Sequence, residues 1–275
     1  MPSQPGTSLP LPAPDPLDPD FQPYAGLYGS REAEHPSAGP CFICEGRYLV
    51  REALRDGRSG ALTVLSVLTG PRLAGEWLPL LPPGTRLLVA EDAFLERLLG
   101  FQFHRGILCC VQRPPAPEEA RILRARRLVV LPRLDNVDNL GQLLRTAAAL
   151  GLEAVAVGQG PSPYERRTVR VSMGAAWRIP VLVPGDLPGL VARWRDFEPA
   201  IPSEVVGAAL VEGALPAAQW APAPRTALVL GPEDRGLDPG WLDRCDRHVV
   251  IPMAKDMDSL NVAAAGAILM FRLMS

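Results

Sequence analysis

Lysine is almost missing from this 275-residue chain: 27 of its 28 basic residues are arginine, and Lys255 is the exception. A GC-rich coding bias explains this most simply, yet arginine's planar fork of donors also suits phosphate better than a lysine point charge. Histidine is scarce too. His35, His104 and His248 are scattered, with no nucleophile motif beside them, so none is assigned to catalysis. Long apolar runs are absent: the longest, Val262–Phe271, is ten residues and too short to span a bilayer. The first basic residue is Arg31 and no apolar segment follows the start, so no secretory signal and no membrane partner are expected. Five cysteines, an odd number, fit a reducing cytoplasm. Cys41-x-x-Cys44 has no second pair at ligand spacing, because Cys109 and Cys110 are adjacent and Cys245 is isolated. Tetrahedral zinc needs four ligands, so no metal is expected. A net charge of -2 excludes a histone-like polycation but not a local basic patch.

Proline, by contrast, is plentiful: 31 residues, with 25 glycines beside it. Residues 1–40 hold ten of the prolines, and Pro10, Pro12, Pro14, Pro16 and Pro19 forbid regular helix. Residues 1–23 therefore read as a flexible arm, with order beginning near Phe21–Leu27. Residues 24–112 alternate short strands (Cys41–Ile43, Leu62–Leu68, Arg86–Ala90, Ile107–Val111) with helices (Tyr48–Arg55, Ala93–Leu99), a small α/β sandwich. Gln112–Glu119 carries three prolines and marks a break, which assigns residues 113–124 to a linker.

Residues 125–275 form the second expected domain. Strand-like runs at Leu128–Leu131, Ala154–Val157, Pro180–Val183, Glu204–Ala209, Ala227–Leu230 and His248–Ile251 alternate with helix-like runs at Leu140–Leu150, Leu187–Arg195, Pro239–Arg244 and Ser259–Leu273. Short, wholly apolar strands between helices predict a parallel sheet covered on both faces. Residues 1–112 carry 9 basic and 12 acidic residues, while 113–275 carry 19 and 18. The basic ones cluster at Arg121, Arg124, Arg126 and Arg127, and again at Arg166, Arg167, Arg170 and Arg178. Such clusters suit RNA phosphates, although solvated helix faces look the same in sequence. Trp177, Trp220 and Trp241 read as core or dimer packing rather than base-stacking platforms.

Three segments stand at the carboxyl ends of expected strands, where open parallel sheets place ligand sites. The first runs from Asp135 through Asn139, a candidate helix cap, to Arg145 inside the following helix. The second is Gly231-Pro232-Glu233-Asp234-Arg235-Gly236, whose glycine lets backbone approach a ligand. The third, Ile251-Pro252-Met253, leads to Ser259-Leu260-Asn261-Val262, with a helix expected to start at Asp258 or Ser259 and Asn261 in its first turn.

In order and spacing these segments resemble the three signature motifs of the SpoU (TrmH-like) family of RNA ribose methyltransferases, in the SPOUT superfamily. The first half resembles the L30e/L7Ae-like module often joined to that family, with Cys44–Val50 similar to its opening and His104–Ile107 to its close. The resemblance implies a deep trefoil knot in the second domain, a homodimer and S-adenosylmethionine as cofactor. It places the cofactor on Gly231, Ile251, Met253 and Leu260, gives Arg145 the key role at a ribose 2′-hydroxyl, and sets Asn139, Glu233, Ser259 and Asn261 around it. Arginine is a poor literal base, so Arg145 is read as orienting the hydroxyl while an RNA phosphate takes the proton. Three positions depart from the pattern: Lys255 replaces a common glycine, Asn136-Val137-Asp138 precedes Asn139, and Ala263 replaces a frequent serine. The implied function is methylation of a ribose in ribosomal RNA or tRNA, ribosomal RNA being favoured. The alternative is a non-catalytic RNA-binding protein on the same scaffold.

Overall fold

A computed structural model describes residues 18–27, 32–103, 106–232, 235–254 and 259–275. The chain divides into two compact units, 1–113 and 114–275.

The first unit is built on a five-stranded mixed sheet. Its strands are β1 (Ala33–His35), β2 (Gly39–Glu45), β3 (Val64–Thr69), β4 (Arg86–Val89) and β5 (Ile107–Gln112), in the order β1-β2-β5-β3-β4. Only β3 and β4 pair in parallel. Helices α1 (Arg47–Arg58), α2 (Pro71–Trp77) and α3 (Asp92–Leu99) connect them. Residues 18–23, expected in the arm, instead belong to this unit. Pro19–Tyr24 forms a short 3-10 helix, which tolerates Pro19 in its first turn, where the amide has no helical partner. Phe21, Tyr24 and Leu27 are buried in the core, and the Tyr24 hydroxyl donates to the Ser66 carbonyl at 3.0 Å. Asp18 and Asp20 both pair with Arg86, and His35 Nε2 meets Asp20 at 2.6 Å. Hydrophobic burial and ion pairs thus override the local proline signal. The prolines at 10, 12, 14 and 16 lie outside the described residues, as does His104.

The second unit is a seven-stranded, wholly parallel sheet. Its strands are β6 (Arg127–Arg133), β7 (Ala154–Gln159), β8 (Val181–Leu182), β9 (Ser203–Ala208), β10 (Leu215–Pro216), β11 (Arg225–Val229) and β12 (Arg247–Val250), in the order β10-β12-β9-β11-β6-β7-β8. Around it lie α4 (Glu119–Leu123), α5 (Val137–Leu150), α6 (Arg166–Val171), α7 (Ala175–Arg178), α8 (Leu187–Asp196), α9 (Pro239–Leu242) and α10 (Val262–Met274). The apolar runs work as the two-residue period demands. Along β6, Val129 and Leu131 enter the layer under α5 and α10, while Leu128 and Val130 enter the layer with Trp194 of α8 and Trp241 of α9. Both faces are covered, so the centres of β6, β7, β9 and β11 are apolar.

Two helix starts differ from expectation. Asn136, not Asn139, caps α5, its side chain accepting from Asp138 N at 2.8 Å. Asn139 is then inside the helix and 2% exposed. The last helix begins at Val262, and Asn261 is its cap, accepting from Ala263 N at 2.9 Å. In both cases the cap is the residue with extended backbone just before the first apolar contact.

Candidate functional site

The carboxyl ends of β9, β11 and β12 open into a cleft of about 160 Å³, closed on one side by the start of α10. Its lining includes Gly231 after β11, Ile251 and Met253 after β12, and Ser259 and Leu260 before α10. The four residues expected at a cofactor therefore converge in one place. Among the described lining residues, Ser259 has the only hydroxyl, amide or charged side chain. Recognition of polar ligand atoms there falls chiefly to backbone groups at the strand ends.

The glycines of the 231–236 turn have specific causes. A Cβ on Gly231 would lie 2.6 Å from the Gly236 carbonyl carbon and 2.8 Å from Leu237 N, so the turn closes only without one. Gly236 has φ +66°, the left-handed region glycine enters freely. The Gly236 amide donates to the Pro232 carbonyl at 2.9 Å. Glu233 lies outside the described residues, as does Lys255.

Beside the cleft, Asn261 Nδ2 donates to Asn139 Oδ1 at 3.0 Å across 122 positions of sequence. One amide thus caps α10 and ties it to α5. Gly266 tightens the same contact, since a Cβ there would lie 2.4 Å from Leu143 Cδ2. Arg145 is six residues beyond Asn139, about 9 Å along the helix and on another face. It is exposed, does not line the cleft, and forms no hydrogen bond or ion pair among the described residues.

The arginine clusters separate on inspection. Arg127 is spent on the carbonyls of Ala223 and Pro224, at 2.7 and 3.1 Å. Arg167 forks onto Asp138, with Nε at 2.7 Å from Oδ1, and these hydrogen bonds hold the Asp138 carboxyl below its usual value. Arg166 and Arg170 share α6 with it, and α6 packs on α5. Arg124 and Arg126 remain exposed at the other end of the sheet.

Sequence reasoning missed Ala208–Leu210, which line the cleft at the end of β9. Their apolar side chains carry no chemical signature, and only the small Ala208-Ala209 pair at a strand end hinted at an opening. Among the described residues no group of three or more His, Cys, Asp or Glu is placed to hold a metal, and no helix is long and apolar enough to cross a membrane.

Residues 126–271 match the model of the SpoU rRNA Methylase family. The chain belongs to that family. This SpoU chain is 32% identical to an uncharacterized tRNA/rRNA methyltransferase of Mycobacterium bovis, over 92% of its own length and 88% of the relative's. It is 31% identical to the 23S rRNA (guanosine(2553)-2'-O)-methyltransferase RlmP of Bacillus subtilis, over 84% and 88%. Its fold is that of the SpoU methyltransferase AviRb from Streptomyces viridochromogenes, solved in complex with AdoMet. The two share a TM-score of 0.75 at 24% identity, with 93% and 96% of the chains covered.

Proposed function

We propose that this SpoU chain is an S-adenosylmethionine-dependent methyltransferase that methylates a ribose 2′-hydroxyl in structured RNA, ribosomal RNA in preference to tRNA. The observation that carries the reading is the strand-end cleft, where Gly231, Ile251, Met253, Ser259 and Leu260 meet around apolar walls and exposed backbone ends. That chemistry fits a nucleoside-bearing cofactor: Leu230, Val249 and Leu269 offer apolar surface for a flat base, and the loops offer N–H and C=O groups for its polar edges. When bound, S-adenosylmethionine supplies a methyl group on a sulfonium for transfer to a correctly placed oxygen.

The chain's own residues position the acceptor. Arg145, exposed and unpaired, donates to the 2′-oxygen and to a neighbouring phosphate, and that phosphate takes the hydroxyl proton. Asn139 and Asn261 hold α5 and α10 in register, so that the helix bearing Arg145 and the loop bearing Ser259 keep a fixed relation. Glu233 is assigned by resemblance to the same cluster. Arg166, Arg167 and Arg170, next to α5, are assigned to RNA phosphates. The relatives named as 2′-O-methyltransferases give the non-catalytic alternative no support.

The finer architecture belongs to this proposal. A trefoil knot in the second unit is supported by the insertion of β12 between β9 and β10, with α10 folded back on α5. A homodimer is supported by the apolar face that α10 leaves open at Ile268, Phe271 and Met274, 45%, 65% and 42% exposed. The first unit, with its mixed sheet, is assigned as an L30e-like RNA-binding domain, and the cytoplasm as the compartment.

The test is transfer of labelled methyl from S-adenosylmethionine to ribosomal RNA, with the linkage mapped by its resistance to alkali. Arg145→Ala is expected to lower turnover at least 100-fold, as for loss of a donor at a reacting oxygen, while calorimetry shows unchanged cofactor binding. Turnover like wild type in that variant would remove Arg145 from the mechanism.

A further inference from the structure

The cleft occupies one pole of the second unit's sheet. At the opposite pole, where β6, β7 and β8 begin, lies a wide groove lined by Arg121, Arg124 and Arg178 around an apolar floor that includes Leu152 and Pro180. Arg126, exposed, follows Arg124 by two residues. The sole acidic side chain in the lining is Glu153, and its Oε2 accepts from the Arg126 amide at 2.9 Å. Arg121 and Arg126 make no side-chain hydrogen bond or ion pair among the described residues, and Arg124 only stacks over Phe197, 6.0 Å from the ring centre. This contrasts with Arg127, whose guanidinium is spent on the carbonyls of Ala223 and Pro224.

The groove's cations are also held in place. Arg225, fully buried at the start of β11, stacks on Trp194 at 4.6 Å. Its Nη2 donates to the carbonyls of Leu123 and Trp194, both at 2.8 Å. Leu123 immediately precedes Arg124, so the end of α4 is pinned rather than loose. Arg178 stacks on Trp177, 5.4 Å from its ring centre. Converging arginines on a supported frame, facing one carboxylate, form an anion site of extended shape.

We infer that this amino-pole groove binds the RNA backbone at phosphates remote from the methylated ribose. The inference rests on the RNA reading above and adds a second contact surface to it. β6 is seven residues long, about 23 Å at the usual strand rise. Because cleft and groove are also offset across the sheet, a strand of RNA reaching from one to the other spans at least about seven stacked nucleotides, taking the spacing of a duplex strand. The enzyme then requires a structured substrate of that size, and a short oligonucleotide carrying only the target ribose misses the groove.

The experiment measures binding of transcribed 23S rRNA against salt concentration, together with KM and kcat, for wild type, Arg121→Gln/Arg124→Gln and a triple variant adding Arg178→Gln. The double variant removes groups without hydrogen-bonded partners, which leaves the fold intact. Each lost phosphate contact makes the log–log salt slope shallower by about one. The double variant is expected to show a shallower slope and an RNA KM raised at least about tenfold, with kcat and S-adenosylmethionine affinity unchanged. The triple variant extends the loss. Wild-type slope and KM in the double variant overturn the inference, as does a loss that appears only in the triple. Failure of wild type to methylate ribose would instead refute the function, and the binding series would still report on the groove.

Discussion

Gly141 lies on α5 two residues after Asn139, at the point where α6 crosses that helix. A Cβ there would stand 2.7 Å from Val171 Cβ, 2.8 Å from Val171 Cγ1 and 3.2 Å from the Ser172 amide nitrogen. Carbon atoms rest at about 3.5–4.0 Å, so Gly141→Ala forces α6 away by about 1 Å. The obstacle is a β-carbon and backbone, which no rotamer change removes. Alanine favours the helix by about 1 kcal/mol over glycine, whereas overpacking of this kind costs about 1–3 kcal/mol. The net expectation is destabilisation by about 1 kcal/mol, a fall of about 2–4 °C in the melting temperature of a unit of this size. Activity should fall further, because α6 carries Arg167 onto Asp138 beside the motif helix. Gly75→Ala supplies the contrast. It is also within a helix, but nothing lies within 4 Å of its Cβ, so it should stabilise the first unit. Scanning calorimetry with a methyl-transfer assay checks both. A Gly141→Ala protein that melts no lower than wild type would refute the packing argument.

Other measurements probe the chemistry of single groups. The Arg167 hydrogen bonds lower the Asp138 pKa, so the pair stabilises the fold above the unfolded carboxylate value and stops doing so as pH falls through the folded one. Both side chains are partly exposed, so an Asp138→Asn/Arg167→Gln cycle should give at most about 1 kcal/mol at pH 7 and nothing near pH 2. A coupling that grows in acid would contradict it. Burial pushes the Cys245 thiol up to about 11 and raises Cys109 as well, while a hydrogen bond with Cys41, together with burial, raises Cys110. At pH 8 about one Cys245 in a thousand is thiolate, against about a quarter for a free thiol. Native protein should therefore react slowly with a thiol reagent, speeding up as pH rises towards 11. A full equivalent reacting rapidly at pH 8 would show that the thiol is not buried as described.

Much of the second unit was legible because its strands are buried on both faces and read as apolar runs, β6 and β7 above all. The break near residue 113 was legible from prolines. Strand order was not, because nothing in His248–Ile251 says that β12 lies between β9 and β10, a choice made by non-local packing. Helix α6 escaped notice because arginines interrupt its apolar period, although Thr168 and Val169 are buried. At the site, Gly231, Ile251, Met253 and Leu260, which the family resemblance pointed to, line the cleft, while Ala208–Leu210 carried no such mark. The arginines show the limit most clearly. Arg126 and Arg127 are neighbours in sequence, yet one faces solvent and the other holds two carbonyls, which depends on a loop almost a hundred residues away.

The position of β12 also constrains how the protein is made. Strand β10 pairs only with β12 among the described strands, and β12 is synthesised some thirty residues after it. As the chain leaves the ribosome, β9, β11, β6, β7 and β8 can associate, but the edge of β9 stays unpaired until β12 arrives. Cofactor cannot assist that wait, because the cleft needs the segments after β11 and β12 and the first turns of α10. The nascent domain therefore passes through a stage with an open parallel edge, the kind of species prone to mispairing. Its earliest protection from aggregation must come from synthesis rate and chaperones rather than from ligand.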